Sequence, residues 1–193
     1  MMENVGVRPV GEIYAEGLRY FMGEGTVNKT LARLSSDLEE HGIDYAVIGA
    51  VALLAHGYPR FTEDIDLVMT AEGLEKFHEE LKSTVDGVSI EVMTTGEFPG
   101  DGKPKPVSMP EPTAASTEID GIRFVTLEKL IELKLASGMS APDRLKDLAD
   151  VQELIKIRKL DADFALKLDP YVREKYRELE TAVRNSTSIQ EKG

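Results

Sequence analysis

The run Asp64-Ile65-Asp66-Leu67-Val68-Met69 constrains this chain more than any other stretch. In a strand, side chains two apart share a face. A strand here sets Ile65, Leu67 and Met69 on an apolar face, with Asp64 and Asp66 together on the other. Val88-Ser89-Ile90-Glu91-Val92 repeats the alternation, with Val88, Ile90 and Val92 on one side and Glu91 on the other. If the two strands are neighbours, three carboxylates converge on one open sheet face.

The surrounding pattern alternates strands and helices before turning helical. Thr26 is positioned to cap a helix over about 27–41, with Leu31, Leu34 and Leu38 on one face and Gly42 at its end. Tyr45-Ala46-Val47-Ile48 reads as a buried strand, and Ala50 to His56 as a short apolar helix closed by Gly57. Ala71 to Ser83 reads as a helix. Glu118 to Val125 reads as a hairpin turning at Asp120-Gly121. Helices follow over about 126–137, 142–158, 161–168 and 170–184. The fold class expected is α/β (α+β), a mixed sheet flanked by helices with a C-terminal helical part. The expected divisions are an N-terminal extension over 1–26, a core over 27–125, a helical region over 126–185 and a flexible tail over 186–193.

Composition narrows the function classes. The chain has 193 residues and a net charge of -12, so no broad basic face is available to coat nucleic acid. Any contact with RNA or DNA has to be local. The cluster Lys156, Arg158 and Lys159 reads more simply as cations at the negative end of a helix. There is no cysteine, which excludes disulfides and thiolate metal sites. No apolar run approaches the roughly 20 residues of a membrane helix, and Met1 to Glu16 lacks an apolar signal core. The expected location is the cytoplasm.

Three carboxylates brought together repel unless a cation sits among them. Magnesium takes carboxylate and phosphate oxygens and commonly bridges substrate phosphates. Upstream, Val47-Ile48-Gly49-Ala50-Val51-Ala52 reads as strand, tight turn and helix start. Gly49 there lets phosphate approach the backbone, although glycine is common at any such turn. Between turn and carboxylates, Arg60 has the reach for a phosphate or a base, and Thr62 for Asp64. Ordinary roles as surface-loop residues fit both equally well.

Together, Ile48-Gly49-Ala50 and Arg60-Phe61-Thr62-Glu63-Asp64-Ile65-Asp66-Leu67, with thirteen residues between Ala50 and Asp64, resemble the signature of the nucleotidyltransferase superfamily related to DNA polymerase beta. The Arg-x-Thr-x-Asp-Ile-Asp-Leu form, followed by Lys134, Arg144 and Asp147, is most similar to the AbiEii-like toxins and their minimal relatives. The resemblance covers roughly residues 27–158. It implies a catalytic metal, Mg2+ or Mn2+, on Asp64, Asp66 and Glu91. It implies a nucleotide site at Gly49, Ala50, Arg60, Thr62, Lys134, Arg144 and Asp147. It also implies transfer of a nucleoside monophosphate from a nucleoside triphosphate to a hydroxyl, with release of pyrophosphate. The toxin branch directs that transfer to RNA ends such as tRNA and pairs the enzyme with an antitoxin protein. Ala50 stands where Gly or Ser is typical, and Glu91 where Asp is common. Two alternatives stay open: a non-catalytic nucleotide-binding module of this fold, and a nucleotidyltransferase of small molecules such as aminoglycosides.

The helices carry charge on apolar stripes. Lys134 falls amid Leu127, Leu130 and Ile131, so it either snorkels or meets an anion, whether triphosphate or carboxylate. Arg144 projects within a stripe of Leu145, Leu148, Val151 and Ile155, with Asp147 at its margin and Asp150 flanking. Arg144 and Asp147 also have the spacing of a structural i,i+3 ion pair. Residues 95–112 hold three glycines and five prolines and read as a long loop, of a length that is often functional. Lys103 and Lys105 on it would neutralise phosphates if it closed over a nucleotide, and a solvated loop is the simpler reading. His41, His56 and His78 are not spaced as metal ligands. His56 reads as a cap or packing residue.

Overall fold

The computed structural model describes residues 9–81 and 84–190. The first eight residues of the expected extension, positions 82–83 of the expected helix 71–83 and the last three residues of the tail lie outside them. The chain is an α/β fold: a six-stranded mixed sheet flanked by helices, with a helical C-terminal part.

In chain order the elements are α1 (Val10–Phe21), α2 (Thr26–Glu40), β1 (Tyr45–Val47), α3 (Gly49–Ala55), β2 (Asp64–Met69) and α4 (Ala71–Glu80). Then come β3 (Thr84–Val85), β4 (Val88–Thr94), β5 (Ser116–Ile119), β6 (Ile122–Val125), α5 (Leu127–Ser140), α6 (Leu145–Arg158) and α7 (Arg173–Gln190). Short 3-10 turns over 142–144, 162–167 and 170–172 link the last helices. The sheet order is β3-β4-β2-β1-β6-β5. Strand β2 pairs antiparallel with β1 and parallel with β4, with α4 as the crossover.

The register answers the central expectation. Asp64 pairs with Ser89 and Asp66 with Glu91, while Ile65 pairs with Ile90 and Leu67 with Val92. Residues paired across adjacent strands share a face, so the three acids lie on one side and the apolar pairs on the other. Ile65, Leu67, Val68 and Met69 are completely buried.

Local signals explain most element ends. Thr70 caps α4, its hydroxyl accepting from the Gly73 amide at 3.0 Å, and Thr126 caps α5 by accepting from the Lys129 amide. The hairpin β5–β6 turns at Asp120 and Gly121, both with positive φ, as a two-residue type I′ loop requires. Helix α2 buries Val27, Leu31, Leu34 and Leu38 as its spacing predicts. The residue at its N-cap is Gly25, not Thr26, and the Thr26 amide instead donates to Glu16 Oε1 from α1 at 2.6 Å.

Three features differ from the sequence reading. Residues 10–21 form an amphipathic helix whose one buried residue, Tyr20, packs edge-on against Phe61 at 5.3 Å between ring centroids. Its weak periodicity follows from burying so little. Leu145 is exposed, and the buried side of α6 is Asp147, Asp150, Val151, Leu154 and Ile155. The loop over 95–112 is anchored: Val107 and Met109 are buried, and the Met109 amide donates to the Glu97 carbonyl at 2.7 Å.

Candidate active site

A cavity of about 530 Å³ lies over the acid face, and Asp64, Asp66 and Glu91 all line it. Gly49, Ala50, Arg60 and Thr62 form a second part of the wall, and Lys134, Arg144 and Asp147 a third. The structure therefore brings all ten expected site residues to one cavity. Pro99 and Gly100 bring the long loop to the cavity, and Ser137 and Lys146 line it although sequence reasoning missed them. No spacing rule flags these, because each gains its place only from tertiary packing.

The turn after β1 is tight for a specific reason. Gly49 has a φ of +64°, and a β-carbon there would run into the Asp66 carboxylate. The Asp66 carboxylate also accepts the Ala50 backbone N–H. The glycine expected to admit phosphate thus admits a carboxylate in this structure, and one amide of the turn is already engaged.

Burial pushes the Asp66 carboxyl up, and the neighbouring Asp64 and Glu91 push it further, to about 6, against the opposing pull of Lys134 and the Ala50 amide. Thr62 donates its hydroxyl to Asp64. The sheet side of the cavity is therefore a wall of under-compensated negative charge.

Helices α5 and α6 supply the facing wall, and here the charges are matched. The Lys134 ammonium donates to Asp147 Oδ1 at 2.9 Å and to Asp150 Oδ2 at 2.7 Å. Ser137 donates to Asp147 Oδ2 at 2.7 Å, and Arg144 Nε lies 3.5 Å from that oxygen. Arg60 reaches across from the loop before β2 and donates to Asp150 Oδ2 at 2.9 Å. Burial raises the Asp147 carboxyl, but Lys134, Ser137 and Arg144 together hold it below its ordinary value. Lys134 is thus a buried cation answered by two carboxylates, and it does not snorkel. Arg144 and Asp147 form the i,i+3 pair that their spacing allows.

Other residues fall outside this chemistry. Lys105 is tied inside its own loop, donating to the Pro99 carbonyl at 2.6 Å and to Asp101 at 2.7 Å. Lys103 is exposed beside Asp101. His56 Nε2 lies 2.7 Å from the Val125 carbonyl oxygen, and burial pushes its imidazole pKa down, as suits a packing residue. Lys156 pairs with Glu153 and Lys159 takes the left-handed C-cap of α6, so this basic cluster ends a helix.

Among the described residues, no group of three or more His, Cys, Asp or Glu side chains forms a ready-made metal site. The donor chemistry of the acid face nevertheless suits a hard divalent cation. It offers oxygen ligands only, and burial together with repulsion from Asp64 and Glu91 already raises Asp66. Asp64 and Asp66 would supply the inner ligands, with the exposed Glu91 able to swing in from the next strand.

The class defined so far is an α/β protein with an acidic sheet face set against a helical wall of cations. No protein family and no curated protein matches the chain. Solved structures do resemble it. A candidate nucleotidyltransferase from H. pylori is 15% identical, over 96% of this chain and 98% of that one, with a TM-score of 0.45. The antibiotic-resistance factor ANT(2'')-Ia is 15% identical, over 84% of this chain and 94% of that one, with a TM-score of 0.49. An antigenic nucleotidyltransferase-like protein from Paracoccidioides brasiliensis is 18% identical, over 85% of this chain and 88% of that one, with a TM-score of 0.43. The first and third of these carry the description nucleotidyltransferase or nucleotidyltransferase-like. At such identities and scores, what this chain does has to be read from its own cavity.

Proposed function

We propose that this protein is a metal-dependent nucleotidyltransferase, moving a nucleoside monophosphate from a nucleoside triphosphate to a hydroxyl acceptor. The observation that carries the reading is the register of Asp66 with Glu91, which sets two acids beside Asp64 on the floor of a cavity roofed by Lys134 and Arg144.

Mg2+ or Mn2+ would be held by Asp64, Asp66 and Glu91. When bound, such an ion neutralises phosphate charge and favours in-line displacement at phosphorus. The chain's own residues do the rest. Lys134 and Arg144 attract the triphosphate from the helical wall, while Gly49 and Ala50 seat the Asp66 carboxylate at the turn below it. Arg60 and Thr62 fix the near rim. Asp147 acts from behind, because its oxygens already hold Lys134, Ser137 and Arg144. In the transfer, the acceptor oxygen bonds to the α-phosphorus as the bond to the pyrophosphate oxygen breaks. The hydroxyl proton passes to the acid face, where Glu91 is the exposed carboxylate.

The sequence resemblance supports an RNA acceptor such as a tRNA end and control by an antitoxin protein. A second reading of the acceptor has support of its own. A neighbouring cavity of about 720 Å³ shares Thr62 with the first, and Glu12, Glu16, Glu63 and Asp86 line it against Arg19. That wall disfavours a phosphate backbone and suits a cationic small molecule bearing a hydroxyl. The test is incubation with labelled nucleoside triphosphates, magnesium and a panel holding tRNA, amino-sugar compounds and the protein itself. Transfer to any of them supports the reading and assigns the acceptor. Absence of transfer to all of them, with metal supplied, leaves the binding-module alternative.

A further inference from the structure

We infer that Asp150 is a positioning residue for this reaction, acting through Arg60 and never on substrate. The inference rests on the transfer reading above. Asp150 is 4% exposed, yet the two cations it holds both line the cavity.

The geometry is specific. One oxygen, Oδ2, accepts from Lys134 Nζ at 2.7 Å and from Arg60 Nη1 at 2.9 Å. These donors arrive from different places: Lys134 from the middle of α5, Arg60 from the loop between α3 and β2. A single buried carboxylate on α6 therefore holds two cavity-lining cations from different elements side by side. Such charge-assisted bonds are short and directional, and a guanidinium presents its donors in a rigid fork.

The two cations depend on Asp150 unequally. Lys134 also holds Asp147, so it keeps a partner if Asp150 is neutralised. For Arg60, the ion pair present among the described residues is the one to Asp150. Loss of the Asp150 charge thus leaves Lys134 in place and frees Arg60 to move. It also removes an anion from beside two cations, which by itself favours a bound triphosphate. A positioning role therefore predicts a split: turnover falls while triphosphate affinity holds or tightens. A residue serving stability alone predicts no such split.

The experiment compares the native chain with Asp150→Asn, Arg60→Met and the double variant. It measures the transfer rate, the dissociation constant of magnesium with a non-hydrolysable triphosphate, and the thermal midpoint. We expect each single variant to slow transfer about tenfold or more, with the dissociation constant unchanged or tighter in Asp150→Asn and weaker in Arg60→Met, which removes a cation of the site. We expect the double variant to be no slower than the slower single, because Asp150 acts through Arg60. Multiplicative losses, or a native rate in Asp150→Asn, overturn the inference. If Asp150→Asn does not fold, Asp150→Glu and Arg60→Lys, which keep charge but alter reach, carry the same comparison. A native chain that neither binds magnesium–triphosphate nor transfers label refutes the transfer reading itself. An active native chain with additive losses refutes only the role of Asp150.

Discussion

Gly49 and Asp66 are locked together: the space a β-carbon would need at Gly49 is filled by the Asp66 carboxylate. The positive φ at Gly49 adds a backbone cost for any L side chain. Gly49→Ala should therefore destabilise the fold by about 2–3 kcal/mol and displace Asp66. Chemical denaturation would measure the first effect. Weakened magnesium binding, followed by calorimetry, would measure the second.

Asp66→Asn should separate stability from activity. The amide keeps an oxygen for the Ala50 N–H but removes the charge that Asp64 and Glu91 oppose. Near neutral pH the variant should gain stability on the order of 2 kcal/mol. Transfer should fall by about a thousandfold or more. A variant that loses activity because it unfolds would instead assign Asp66 to structure.

The same group predicts a pH dependence. Its folded pKa is raised from 3.8 to about 6. Between those values the folded chain binds more protons than the unfolded chain, so this contribution makes stability fall as pH rises. The penalty is complete above about pH 6, on the order of 3 kcal/mol. His56 runs the other way: burial lowers its pKa, so stability falls as pH drops below the ordinary histidine value. Subtracting the profile of Asp66→Asn from that of the native chain isolates the carboxylate. A difference that grows from pH 4 to 6 and then levels is the expected outcome.

Magnesium should raise the melting temperature of the native chain at pH 7, and a chelator should reverse the gain. The rise should be smaller at pH 5, where Asp66 is mostly protonated, and lost in Asp66→Asn. An equal shift in both chains would place the ion elsewhere.

Lys134→Met tests the helical wall. It leaves Asp147 and Asp150 buried with only Arg144, Arg60 and Ser137 to answer them. The expected cost is about 3 kcal/mol, read by denaturant unfolding. Triphosphate affinity should fall as well. Stability unchanged by the substitution would mean that the carboxylates are served without Lys134.

The strands were the most legible part of the sequence. Alternation in Asp64–Met69 and Val88–Val92 fixes which side each residue faces, and the period of two leaves no intermediate orientation. It could not say that β2 and β4 are adjacent, since that depends on the α4 crossover and on long-range pairing. Lys134 was legible as an anomaly, but its partners Asp147 and Asp150 come from another helix. Asp150 sits a turn from Asp147 on α6, and its link to Arg60 spans ninety positions, which no local pattern encodes. The helix over 10–21 was weakest in sequence because it buries little beyond Tyr20.

The three acids on the sheet side of the cavity come from β2 and β4, whereas its cations other than Arg60 come from α5, the turn over 142–144 and the start of α6. A nascent chain emerging from the ribosome therefore exposes its carboxylates well before the lysine and arginines that face them have docked. Until α6 arrives, Arg60 has no Asp150 to hold it and the acid face stands without the wall that opposes it.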